Sequence, residues 1–243
     1  MGTGGRAFLG AAVAGGVGSA MFRFNGGTAL VAVQQEDDPI LAHVTKEAAR
    51  IARAFQGQPR ADDYRALAIN NRLFAIHARS RRLDSLIKKE MTQLVRQRGR
   101  NELIQKAMSQ EMADHQKHTL ATFGIHAHEE PTTIPQDVFE SQLDVILQRG
   151  GLAERLETTA TELETMHTQM EKIIVSNGGV IVRTQTVEQQ FRCAYLNRQC
   201  NEWGAFAMIM CLGSYWGFLV FPCVGAGAAA AGYCGAARYY SCY

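Results

Sequence analysis

The chain has 243 residues, 47% of them hydrophobic, with 25 Lys/Arg against 23 Asp/Glu and a net charge of +2. That length allows one ordinary domain plus an appendage. The near-neutral total singles out no class of partner, but it conceals a strong segregation. Residues 46–106 hold 15 Lys/Arg against 6 Asp/Glu, a local +9, and residues 107–180 hold 4 against 12, a local −8. No aromatic stacking series or nucleic-acid motif accompanies the arginines, so the pattern predicts two helical layers that attract each other rather than a nucleic-acid partner.

The first 33 residues have the form of an export segment. Arg6-Ala7-Phe8-Leu9 precedes an uncharged Ala/Gly/Val run to Ala20, a basic n-region followed by a modest apolar h-region. A twin-arginine signal would need a second arginine where Gly5 stands, so a Sec-type route stays open. The expected location is secreted, or membrane-associated after export.

Residues 34–176 read as a helical body. Ile40, Val44, Ala48, Ile51 and Phe55 recur at three- and four-residue steps, the period of an amphipathic helix, and Gly57 and Pro59 end it. Asp62-Asp63 open a second helix that the pattern carries to about residue 98, with Leu67, Leu73, Phe74, Ile76, Leu83, Leu86, Ile87, Leu94 and Val95 inward and Gly99 as its break. A third helix is predicted from Asn101 to Phe123, with Leu103, Ile104, Ala107, Met108 and Met112 inward. After a proline-containing loop from Gly124 to Pro135, helix is expected over Gln136–Gln148 and again over Leu152–Val175, separated by Gly150-Gly151. The Glu-rich face of the last helix suits a partner on the basic helix 62–98. The expected fold class is all-α: an antiparallel helical bundle followed by a small disulfide-rich apolar helical module.

His115, His118, His126 and His128, with Glu129 and Glu130, are the residue types that bind zinc or copper. They lack the HExxH spacing of a hydrolytic zinc site, and a solvated helix end with a polar loop accounts for them, so no metal is assigned. No Ser/His/Asp elbow, phosphate-binding loop or GxGxxG motif occurs. The reading is a protein that is not an enzyme, with no catalytic residues and no cofactor.

Residues 177–192, with Asn177-Gly178-Gly179 at their start, are expected to be a linker. Beyond them the composition changes. All six cysteines, Cys193, Cys200, Cys211, Cys223, Cys234 and Cys242, fall in 193–243, and Trp203 to Ala237 holds no charged residue. An even number of clustered cysteines without a CxxC pair implies a disulfide framework in an oxidising compartment. So small a unit needs such staples, each contributing on the order of 3 kcal/mol. Six cysteines allow 15 pairings, and none is preferred from sequence. The uncharged run also exceeds the roughly 20 residues a membrane span needs, and Gly213 and Gly217 form a GxxxG step.

The Arg6-Ala7-Phe8-Leu9 start, a helical middle without cysteine, and the Cys/Gly/Ala-rich end from Cys193 to Cys242 together resemble the precursors of halocin C8-type bacteriocins. That resemblance implies a C-terminal antimicrobial peptide and an N-terminal part that confers immunity. Two functions are therefore expected in order. The first is an exported antimicrobial precursor whose module acts on bacterial or archaeal membranes, masked by contact with its own helical body. The second is an exported helical protein anchored by a C-terminal membrane segment.

Overall fold

A computed structural model describes residues 38–56, 60–126, 134–176, 187–216, 220–239 and 242. The export segment 1–33, His128 and the start of the linker lie outside the described residues. Among these residues there are nine helices and no strand: α1 (Pro39–Gln56), α2 (Ala61–Ser80), α3 (Leu83–Arg98), α4 (Arg100–Ala107), α5 (Gln110–Thr122), α6 (Gln136–Arg149), α7 (Leu152–Ser176), α8 (Val187–Tyr215) and α9 (Val220–Tyr239). The all-α bundle follows from apolar stripes at helical spacing, with starts fixed by short-range caps. Asp38 accepts from the Leu41 amide at 3.1 Å to open α1, and Asp63 accepts from the Arg60 amide at 2.8 Å to open α2.

The long helix expected over 62–98 is two helices. It breaks at Arg81–Arg82, where Arg82 takes a left-handed conformation with φ 53°. No glycine or proline marks this turn. It is held from outside, by Arg81 paired with Asp38 at 2.8 Å and by Asp84 accepting from the Leu152 amide at 2.7 Å. The expected helix 101–123 is likewise divided, because Ser109 caps α5 by accepting from the Met112 amide. That break turns Met108 outward, to 39% exposure. Ile40, Ile76 and Leu86, expected inward, are 50%, 60% and 43% exposed. At Gly150 and Gly151 the chain has φ 75°, a region glycine enters without steric cost, and this lets α6 and α7 meet at a sharp corner.

The basic and acidic segments face each other. Arg72 of α2 pairs with Glu164 of α7 at 2.7 Å, and Arg79 pairs with Glu157 one layer along. Arg100 grips Asp144 of α6 through both terminal guanidinium nitrogens, at 2.5 and 3.0 Å, and each partner holds the other's charged form: the aspartate titrates lower and the arginine higher than usual. Exposed pairs of this kind contribute little stability. Their effect is to fix which helix lies beside which.

The interior is shared. Leu41, Phe55, Leu67 and Phe74 from α1 and α2, Leu143 and Leu156 from α6 and α7, and Trp203, Phe206, Met210 and Tyr233 from α8 and α9 belong to one buried apolar cluster. Helix α8 begins at Val187, so the last six residues of the expected linker are helical.

Candidate functional site

Helices α8 and α9 form an antiparallel hairpin that carries five of the six cysteines, with Cys242 three residues beyond its end. The structure pairs Cys193 with Cys242, Cys200 with Cys234, and Cys211 with Cys223, and leaves no cysteine free among the described residues. The pairing is nested, one rung at the open end, one in the middle and one at the closed end, with Cα–Cα distances of 5.0, 4.7 and 4.6 Å. A signal for this was present in the sequence. The steps between successive cysteines are nearly palindromic, and steps of seven and eleven residues are close to two and three helical turns. Helix α8 therefore presents Cys193, Cys200 and Cys211 along one line, and near-equal spacing opposite, with Cys223 and Cys234 on α9 and Cys242 just beyond its end, lets the two sets meet rung for rung.

Such short Cα–Cα distances require small residues along the seam and its flanks. Helix α9 supplies them as Val-Gly-Ala-Gly-Ala-Ala-Ala-Ala-Gly from Val224 to Gly232. A Cβ at Gly225 would lie 1.5 Å from Phe74 Cε1, and one at Gly235 would lie 2.7 Å from the Phe55 carbonyl oxygen. The glycines therefore seat α1 and α2 directly on the hairpin's backbone, as small residues do wherever helices approach closely. Glycine costs about 1 kcal/mol relative to alanine inside a helix, and the close packing offsets it.

Several polar groups of the hairpin are met by the body. Trp203, fully buried, donates from Nε1 to Thr159 Oγ1 at 3.2 Å. Tyr195 donates to Glu162 at 2.6 Å. Arg155 reaches Glu202 at 3.1 Å and lies 5.1 Å from the ring centres of both Trp203 and Phe206, while burial pulls its affinity for the proton below the usual arginine value. Arg155, Thr159 and Glu162 fall at steps of four and three along α7, so one stripe of that helix reads α8. At the closed end His115 contacts Ser214 at 2.9 Å, and Glu111 accepts from Tyr215.

One part of the seat is poorly matched. Where α9 crosses α1 and α2 a small cavity is lined by Thr45, Asn70, Asn71, Val224 and Ala228. Asn70 Oδ1 and Asn71 Nδ2 are buried there without a protein partner. Unpaired buried amide atoms cost about 1–3 kcal/mol each unless water reaches them.

Val220–Arg238 is the one described helix long and apolar enough to cross a membrane, and 83% of it is buried inside the protein. A helix that is apolar all round belongs in a bilayer or in the centre of a bundle, and here it is the centre. Among the described residues no three His, Cys, Asp or Glu side chains are placed to hold a metal ion. His115 is half-buried against the hairpin, whereas His118 is exposed. No protein-family model, curated protein or solved structure matches the chain.

Proposed function

We propose that the chain is an exported antimicrobial precursor. Its C-terminal hairpin acts on target membranes once released, and its helical body masks the hairpin until then. One observation carries this reading: every disulfide lies within 193–242, and none ties the hairpin to the body. Cleavage between α7 and α8 would therefore leave a covalently closed apolar unit held by packing, a few hydrogen bonds and the Arg155–Glu202 ion pair, with no covalent tie to the body. The unit carries no charge from Trp203 to Ala237, which suits transfer into lipid at about 0.8 kcal/mol per buried methylene. Masking answers a physical need, since an apolar surface of that size exposed to water invites aggregation.

The anchor reading has one observation in its favour, the length and apolar character of α9. The burial of that helix and the disulfides that bind it to α8 speak for the hairpin instead. A dye-leakage assay on anionic liposomes decides between them. Oxidised 180–243 should release dye, and the full chain should do so weakly or not at all. Silence from both would favour the anchor, and equal leakage from both would refute masking.

A further inference from the structure

The closed end of the hairpin is unlike the rest of it. The last described residues on α8's side, Tyr215 and Trp216, are only half-buried, while Trp203 is fully enclosed. The two rings meet edge to face at 5.4 Å. Each is covered by a cation from the body: the Arg98 guanidinium lies 5.9 Å from the Trp216 ring centre, and the Lys106 ammonium 4.7 Å from that of Tyr215. Glu102 is a loose partner for Arg98, at 3.8 Å between two exposed side chains. Arg96, exposed on the same last turn of α3, has no acid partner among the described residues. Lys106 is ion-paired with Glu111, so the cations with least acid cover on this side are Arg98 and, on the same last turn of α3, Arg96.

We propose that this end of the uncut protein is a lipid-contact surface, with Tyr215 and Trp216 entering the headgroup layer of an anionic bilayer and Arg98, Lys106 and Arg96 meeting its phosphates. Indole and phenol rings are favoured at that depth because they are apolar bodies with a polar edge. Long basic side chains extend beside them toward the phosphates. An attack of lipid on this end would bring the hairpin tip-first to the membrane, before the body lets go. The docking extends the function proposed above to the full chain. It is read by fluorescence, whereas permeabilisation is read by leakage, so the two proposals fail separately.

The protein's two tryptophans make the test internal. Vesicles of phosphatidylglycerol and phosphatidylcholine are titrated into the full-length oxidised chain while tryptophan emission and acrylamide quenching are followed. The expected result is a blue shift with weaker quenching in the parent, and no change in Trp216→Phe, which retains the buried Trp203. Arg98→Gln with Lys106→Gln should weaken vesicle binding about 30-fold, at about 5-fold per cation near an anionic surface. Arg96→Gln, at an exposed side chain without an acid partner among the described residues, should weaken it about 5-fold. An unchanged parent spectrum would overturn the proposal. So would a Trp216→Phe shift equal to the parent's, which would mean that the hairpin opens and delivers Trp203 to lipid. Full binding by both charge variants would overturn it too.

Discussion

The body and the hairpin are held together by different means. Helices α1 to α7 are mostly amphipathic, with charged outer faces matched across the layers by Arg72–Glu164, Arg79–Glu157 and Arg100–Asp144. The α8–α9 hairpin has no such faces over most of its length, and it is joined to itself by three covalent rungs. The body covers it with Phe55, Leu67, Phe74 and Leu120, whose side chains or backbone pack directly on the glycines of α9. Each part therefore needs the other for a different reason, the hairpin for cover and the body for a centre. A helical body that shares its core in this way should keep helix but lose its cooperative melt when the hairpin is deleted.

The largest expected effect tests the covalent half of that contrast. Reducing the bridges should lower the urea midpoint of the full chain substantially, with about 3 kcal/mol lost for a first bridge. The nested bridges add less than this in turn, because each closes a loop already shortened by its neighbour. Urea titrations with and without a phosphine reductant measure it. A loss under about 1 kcal/mol would place the hairpin's cohesion in its packing and dissolve the contrast.

Next comes the packing half. Trp203→Ala should cost about 3–5 kcal/mol, since the ring is fully buried and Thr159 loses its donor. Ile76→Ala, at a side chain 60% exposed, should stay within about 0.5 kcal/mol. Similar costs for the two would mean that α8 is not a load-carrying part of the core in solution.

Much of this arrangement was legible in the residues. The apolar stripes of α1, α6 and α7 are regular, and glycine or proline marks most of their ends, so those helices agree with expectation to within a residue or two. The pairing of α2 with α7 was foreshadowed by charge. The breaks at Arg81–Arg82 and Met108–Ser109 were not, because the first is held by Asp38 and by the Leu152 amide, both distant in the chain, and the second by a single serine hydroxyl. Ile40, Ile76 and Leu86 fit a helical stripe but lie on its edge, where periodicity alone cannot separate core from surface. For the hairpin, cysteine clustering pointed to disulfides. Their nested order was carried by the symmetric spacing, a helical signal that stays hidden until both arms are read as helices.

A smaller effect concerns contact at the backbone. Gly235→Ala gains about 1 kcal/mol in intrinsic helix preference, yet its Cβ would meet the Phe55 carbonyl oxygen at 2.7 Å. Overpacking of this kind costs about 1–3 kcal/mol, so the expected net result is a lower melting temperature. A rise would show that α1 can move away from α9 freely.

The smallest effect lies at His115, where body and hairpin meet through a titratable group. The Ser214 hydroxyl donates to the Cys211 carbonyl at 2.9 Å, so His115 Nε2–H is the donor in the 2.9 Å contact to Ser214 Oγ. Protonation at Nδ1 leaves that bond in place. What opposes protonation is burial first and the neighbouring His118 second, with Glu111 acting the other way and the Tyr215 ring packed edge-on at 5.3 Å. Together they hold the folded imidazole below its ordinary 6.5. The unfolded chain therefore takes up its proton first as the pH falls. Stability contributed by the neutral ring is complete above pH 6.5, declines below it, and stops declining once the pH passes the lowered folded value. His115→Gln, which keeps a donor for Ser214 but cannot titrate, should flatten that segment of a stability–pH curve measured by urea unfolding. Matching slopes for parent and variant would remove His115 from the acid response. Acid sensitivity would then rest on carboxylates such as Asp38, which burial pushes up but the Leu41 amide, Arg81 and His77 together hold below the usual range, and whose contribution is lost only at more acidic pH.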